Sequence, residues 1–399
     1  MPLTGIYTSK FPFLLFGSLH FGRGSNNNGM KPIYVAATGQ HVGKTTTTLG
    51  ILAGLRERGI RAGYCKPVGQ QHVEVSGIIA DKDAVLFADS VGFEINPDWH
   101  SPVVIGQGVT RAFIDKPDNF HFRERIQAAQ RHLSSNYDVV VYEGTGHPGV
   151  GSIADLSNAQ VAHMLGAGVV MVVEAGIGNT IDKLSLCLSL FREQKVPLWG
   201  VIINKVYADK MEEVSYYLRK RLHEMNIPLL GMIPYDRSLS FPIMEAIRQA
   251  VEGRVILNRD KMGNRVAEII AGSLVDIDEF NSFENTLLVV SSKRLDEALH
   301  KVSAISKIKK LEQSPLSGVI VTGDGRHADW VEDFNFNHPY FEEYKVPVLA
   351  TALDTYGSVV KISRIEVKIN TSTPWKVSRA IELIHEHVNF DELLRKMEV

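Results

Sequence analysis

The stretch Ile33-Tyr34-Val35-Ala36-Ala37-Thr38-Gly39-Gln40-His41-Val42-Gly43-Lys44-Thr45-Thr46 decides the fold. Residues 33–37 form a short apolar run that reads as a strand. A glycine-bearing turn follows, and residues 45–58 then carry helical spacing up to Gly59, which reads as a stop. Strand, turn and helix in this order are what a phosphate-binding loop requires. Backbone N–H groups and the helix N-terminus cradle phosphate oxygens, and glycine lets the backbone come close. Lys44 is expected to reach the β- and γ-phosphates, and the Thr45 hydroxyl to take Mg²⁺. Gly39, Gln40, His41, Val42, Gly43, Lys44, Thr45 and Thr46 are the expected nucleotide contacts. The strict pattern has glycine at position 38, where this chain has threonine. A chance Gly-Lys-Thr at a helix start is the ordinary alternative, and the order of the three elements argues against it.

Outward from this stretch, apolar runs alternate with helix-period segments. The runs are 61–65, 137–142, 169–173, 198–203 and 229–233; the helical segments are 121–134, 157–165, 181–193 and 210–225. Continuous apolar strands between helices predict a parallel sheet with helices on both faces, a P-loop NTPase-like α/β fold. Ligands of such sheets sit at the carboxyl ends of the strands. Beyond Pro234 the pattern changes. Residues 243–251, 295–311 and 378–387 read as helices, and 255–257, 287–290, 318–321 and 346–350 as strands. This predicts a smaller second α/β domain, with the first spanning 30–240 and the second 241–399.

The bulk numbers agree with two soluble domains. The chain has 399 residues, 44% hydrophobic and 22% charged, with a formal net charge of −2. That balance argues against a nucleic-acid coat or a membrane-surface binder. Two cysteines, Cys65 and Cys187, make neither a disulfide scaffold nor a zinc framework. No apolar run approaches the roughly 18 residues of a membrane span, and a cytoplasmic location is expected. Residues 1–29 read as a disordered leader, or as sequence upstream of a true start at Met30, since they lack the features of a targeting peptide.

Four further residues stand where chemistry is expected. Lys66 follows the second strand in Lys66-Pro67-Val68, and Glu143 ends the third in Glu143-Gly144. In a parallel sheet both share an edge with Lys44. Glu143 is assigned to Mg²⁺ or to positioning water, and Lys66 to the γ-phosphate or an anionic substrate. Asp83 is a second metal-side carboxylate, the alternative being a helix N-cap. Asn204-Lys205 resembles the guanine-reading Asn-Lys-x-Asp motif, but Tyr207 replaces its Asp. Asn204 can still bond a purine edge, so adenine is expected. His41 and His147 read as loop histidines facing phosphate or solvent.

Together these residues resemble the dethiobiotin synthetase family over roughly residues 31–240. The matching runs are Val42-Gly43-Lys44-Thr45, Lys66-Pro67-Val68, Asp83-Ala84-Val85, Glu143-Gly144 and Asn204. The resemblance implies Thr45, Asp83 and Glu143 on the metal side, with Lys44 and Lys66 as catalytic groups that stabilise phosphate and carbamate. Gly39 stands where that family has Asp, and Gly69-Gln70-Gln71 where it has Ala-Ser-Gly. The resulting Thr-Gly-x-x-Val-Gly pattern is more similar to the synthetase-like domain of long phosphotransacetylases. The second domain resembles the DRTGG domain of those proteins, on Met244 through Gly253, Ala271-Gly272-Ser273, Thr286 to Ser291, Gly318 to Gly323 and Asp354-Thr355-Tyr356. No acyltransferase domain follows before Val399, so phosphotransacetylase activity is not expected.

Three functions remain open at this stage. They are an ATP-dependent enzyme that activates a small carboxylate or carbamate, a regulatory nucleotide-binding protein, and a true dethiobiotin synthetase. ATP and Mg²⁺ are the expected cofactors. A small-molecule substrate or effector and a second copy of the chain, as a homodimer, are the expected partners. The Asp324 and Arg326 pair and the Asp354 run are read as a turn and a cap. The second domain is therefore expected to modulate the first, and residues 30–240 alone to keep nucleotide binding.

Overall fold

The computed structural model describes residues 30–75, 77–272, 284–324, 328–332 and 334–398. The leader 1–29, Ser273 and Arg326 lie outside the described residues.

The central sheet contains β1 (Ile33–Ala37), β2 (Ala62–Cys65), β3 (Val139–Glu143), β4 (Gly168–Glu174), β5 (Leu198–Val206) and β6 (Leu229–Pro234). Their spatial order is β6-β5-β4-β1-β3-β2, and every pairing is parallel. All five residues of β1 are buried, as a strand with both faces covered must be. The phosphate loop leaves its carboxyl end and turns into α1 (Lys44–Glu57). Gly43 has φ 103°, a left-handed conformation that only glycine adopts cheaply. A Cβ there would also run into the Asn204 side chain.

Between β2 and β3 the chain makes an antiparallel hairpin, His72–Val75 with Ile78–Asp81, that period reading did not separate from loop. It leads directly into α2 (Lys82–Val91). One face of the sheet is covered by α3 (Phe122–Asn136), α4 (Gly178–Glu193) and α5 (Met211–Glu224), through residues such as Leu133, Leu188 and Leu218. The opposite face packs on α1 and α2 through Leu49, Leu52, Leu55 and Phe87.

The second sheet has β7 (Arg254–Leu257), β8 (Glu268–Ala271), β9 (Thr286–Ser291), β10 (Leu316–Thr322) and β11 (Val348–Thr351), in the order β7-β11-β10-β9-β8. Only the β7–β11 pairing is antiparallel within it. Its two faces carry separate apolar clusters, built on α6 (Leu295–Ile308) and on the helix Met244–Ala250 with α7 (Thr355–Ser363). Asp354 caps α7, accepting from Gly357 N at 2.6 Å.

The chain end corrects the single boundary expected near residue 240. After α7 it returns to the first domain as α8 (Pro374–His387) and α9 (Phe390–Met397). Val377, Ala380, Leu383 and Ile384 of α8, and Phe390, Leu393 and Met397 of α9, are buried in the same cluster as α1. Gly50 and Gly54 permit this approach, since a Cβ on either would collide with Ile384 or Phe390. Lys376 is fully buried, donates from Nζ to Leu239 O at 2.8 Å, and is pushed down to about 8 by burial. The second sheet is thus an insertion within the first domain. Periodicity found the helix near residue 378 but carried no information about which sheet it would cover. No helix among the described residues is long and apolar enough to cross a membrane.

Candidate functional site

The carboxyl ends of β1, β2, β3 and β5 open into one cavity of about 390 Å³. Because β1 lies next to β3, the phosphate loop faces Glu143 directly. Gln40, His41, Gly43, Lys44, Thr45, Thr46, Lys66, Asp83, Glu143 and Asn204 all line this cavity. Of the other expected contacts, Val42 is buried beneath the loop, and Gly39 packs near it.

Thr45 Oγ1 donates to Glu143 Oε1 at 2.8 Å, and Tyr64 Oη donates to Glu143 Oε2 at 3.3 Å. Glu143 is fully buried, and burial, with the nearby Asp83 charge, pushes its carboxyl up to about 7. Lys44 is half-buried. Burial lowers its pKa, Glu143 opposes that shift, and its Nζ lies 3.5 Å from Gly146 O.

Lys66 is held between two carboxylates. It is ion-paired with Asp83 and lies 3.1 Å from Asp81 Oδ1. Burial disfavours its charge, but Asp83 and Asp81 outweigh burial and keep it protonated. Burial alone would raise Asp83, yet the Lys66 ammonium holds it below the usual carboxylate range. Asp81 is the helix N-cap, accepting from Asp83 N at 2.9 Å, so Asp83 does not cap α2. Sequence reading passed over Asp81 because the hairpin that delivers it carried no clean alternation. Asp81 Oδ2 is buried without a hydrogen-bond partner.

Asn204 sits at the carboxyl end of β5 with its carboxamide on the loop. It donates from Nδ2 to Val42 O at 2.8 Å and accepts from Lys205 N at 2.9 Å. This fixes the loop shape before any base contact. Tyr207 and Tyr235 pack at 5.0 Å between ring centroids, and Tyr235 lines the cavity. His41 has φ 59°, is exposed, and its Nε2 lies 3.6 Å from Glu366 Oε2. His147 accepts from Gly149 N at 3.2 Å within its own loop.

The cavity has a wall that sequence reading missed. Val367, Lys368 and Ile369, between α7 and α8, line it together with Tyr235, Asp236 and Leu239. Lys82, at the start of α2, lines the cavity too. It bonds the Gln71 side chain, and its pKa is lowered by burial and then by the Lys368 charge. No local signal marks residues 366–369, because only the return of the chain brings them here.

Among the described residues no three His, Cys, Asp or Glu side chains cluster as a metal cage. Mg²⁺ is commonly held by one or two carboxylates plus phosphate and water, so Thr45 Oγ1 with a buried Glu143 carboxylate fits it. Glu143→Gln is expected to lower Mg²⁺-dependent nucleotide turnover by about 10²-fold while the protein stays folded. The folded pKa of Glu143 lies above its unfolded value, so stability from this group is present at low pH and is lost as pH rises to about 7. The variant should therefore melt no lower than the wild type above neutrality, and should lose the wild type's gain in Mg²⁺-dependent binding as pH rises through 7. Near wild-type turnover would remove Glu143 from the metal side.

The chain is similar to several known proteins. A phosphate acetyltransferase of Nitrosomonas europaea is 23% identical over 380 residues, covering 92% of this chain and 52% of that protein. One from Pseudomonas putida is 28% identical over 307 residues, covering 74% and 42%. A probable cobyric acid synthase of Methanococcus vannielii is 24% identical over 282 residues, covering 65% and 56%. The chain spans about half the length of the curated relatives it matches. Among solved structures, the MinD cell division protein of Aquifex aeolicus aligns at 15% identity with a TM-score of 0.35, covering 53% of this chain and 84% of MinD. Residues 31–242, from the strand before the phosphate loop to the start of the insertion, match the family AAA_26, described as an AAA domain. On that match, which covers more than half of its length, the chain belongs to the AAA_26 family of P-loop domains.

Proposed function

We propose that this chain binds Mg²⁺·ATP and transfers the terminal phosphoryl group to a small carboxylate or carbamate. One observation carries the reading: Lys44, Thr45 and Glu143 share a single cavity with the Lys66–Asp81–Asp83 cluster. A pure nucleotide holder has no need of a second buried lysine beside the phosphate end. Phosphoryl transfer is catalysed mainly by positioning and by charge stabilisation. The N-terminus of α1 and Lys44 serve the β- and γ-phosphates, and Thr45 and Glu143 serve Mg²⁺. When bound, the metal neutralises phosphate charge. Lys66, fixed by two carboxylates, stands on the acceptor side with Asp83. The acceptor oxygen attacks the γ-phosphorus, the bond to the β-bridging oxygen breaks, and ADP leaves.

The relatives' names connect this chain with acyl-phosphate and cobyric acid chemistry, and the second domain is read as a DRTGG-like regulator. A second reading, a regulatory nucleotide-binding protein, draws support from residues 366–369, which join the inserted domain to the cavity wall. A homodimer in the cytoplasm remains part of the proposal. The test is calorimetry with ATP and GTP, followed by ADP release with a panel of small carboxylates and amines. ATP should bind more tightly than GTP, because Tyr207 replaces the guanine-reading Asp, and one acceptor should stimulate turnover. GTP binding as tight as ATP would sink the adenine assignment. Tight ATP binding with no stimulation by any acceptor would favour the regulatory reading.

A further inference from the structure

The segment 366–369 reaches across the phosphate end of the cavity. Glu366 Oε2 lies 3.6 Å from His41 Nε2 on the phosphate loop and 3.6 Å from Lys368 Nζ. At the other end, Lys368 and Lys82, the first residue of α2, line one cavity, and the Lys368 charge helps to lower the Lys82 pKa after burial. Both lysines line the same cavity as Lys44 and Lys66. Lys82 donates to the Gln71 side-chain carbonyl and forms no ion pair among the described residues. Glu366, the carboxylate ion-paired with Lys368 among the described residues, is 71% exposed and is shared with His41.

Two ammonium groups lining one cavity repel, and an anion between them converts repulsion into two charge-assisted bonds. The location says which anion. Lys82 directly precedes Asp83, the partner of Lys66, so the pair lies on the Lys66 side of the cavity. The base side is marked by Asn204 and Tyr235, on different strands. Lys368 also lies outside residues 31–242, on the returning chain.

We propose that Lys82 and Lys368 form an anion subsite beside the phosphoryl-transfer centre, and that the acceptor is a small molecule carrying a carboxylate or phosphate group in addition to the group that is phosphorylated. This rests on the phosphoryl-transfer reading. The pair holds the acceptor's distal charge while its reacting oxygen faces Lys66. Removing either ammonium leaves the nucleotide contacts of Lys44 and Thr45 in place.

The test uses the full chain saturated with Mg²⁺ and a non-hydrolysable ATP analogue, so that the γ-phosphate position is filled. Succinate and inorganic phosphate are then titrated calorimetrically. At least one should bind saturably to the wild type. Lys368→Met and, independently, Lys82→Met should weaken it by about tenfold or more, the loss of one charge-assisted bond. Lys368→Arg should retain it, and affinity for the analogue relative to ADP should be unchanged. Three outcomes overturn the proposal: neither probe binds the wild type, both methionine variants bind as the wild type does, or the variants lose analogue affinity relative to ADP. The last would mean that the pair reads the nucleotide's own terminal phosphate. If no nucleotide binds at all, the same titration on nucleotide-free protein separates the two ideas. Probe binding lost in Lys368→Met but kept in Lys44→Ala retains the subsite and discards the phosphoryl-transfer reading. Probe binding indifferent to Lys368 discards both.

Discussion

Lys44→Ala is expected to raise the dissociation constant for Mg²⁺·ATP by at least about 100-fold and to abolish measurable turnover. Lys44 is half-buried at the first position of α1, where desolvation already lowers its pKa and the Glu143 and Asp83 charges oppose that shift only in part. Its Nζ reaches across to Gly146 O, over the space where the phosphate loop curves. A charged hydrogen bond contributes roughly 1.5–3 kcal/mol, and two of them to phosphate oxygens amount to about 100-fold or more in affinity. Turnover falls further, because charge building on the transferred group loses a fixed partner. The fold should not suffer, since the substitution removes a desolvated cation that is only partly compensated. Lys44→Arg is not expected to rescue, as the broader guanidinium does not fit a site shaped for a point charge. Calorimetry with a thermal melt on the same samples checks this. A variant that melts normally and binds within about threefold of wild type would remove Lys44 from the phosphate site.

Residues 30–242 expressed alone are expected not to fold, contrary to the sequence-based expectation that residues 30–240 alone keep nucleotide binding. The fragment lacks Val377, Ala380, Leu383, Ile384, Val388, Phe390, Leu393 and Met397, all buried against α1 and the sheet. At roughly 1.5–3 kcal/mol for each large apolar side chain, their burial contributes on the order of 10 kcal/mol. That is comparable to the whole net stability of a typical domain, about 5–15 kcal/mol. The loss also unpairs backbone and charged groups. Asn389 N donates to Leu230 O at 2.7 Å, Lys31 N to Met397 O at 2.9 Å, and Arg379 Nε to Asp236 Oδ2 at 2.5 Å. A fusion of residues 30–242 to 366–398 through a short Gly-Ser linker should restore folding, because residues 240–242 and 362–367 border one small cavity. Solubility, far-UV circular dichroism and cooperative melting distinguish the two proteins. A cooperatively folded 30–242 fragment would show that α8 and α9 are dispensable cover.

The sequence by itself determined the loop end of the cavity. A strand, a glycine turn and a helix in succession form a phosphate loop from local geometry, so Gly43, Lys44 and Thr45 were legible without any distant contact. Glu143 and Lys66 followed from one further step, since the ends of parallel strands share an edge, and Glu143 indeed bonds Thr45. Asp81 was not legible, because the hairpin that carries it alternates poorly and its ion pair with Lys66 spans two elements. The partner of α8 was decided only in three dimensions. Its apolar stripe declares a buried face but not what buries it, and Gly50 and Gly54 of α1 supply the complementary surface more than 300 residues earlier. Lys368 is the extreme case. It sits in a segment without periodicity or motif, and it enters the cavity only because the chain leaves the first domain, builds a second sheet and comes back. Periodicity reports which residues are buried, whereas the closure of long loops decides against what, and that decision rests on surface complementarity summed over the whole chain.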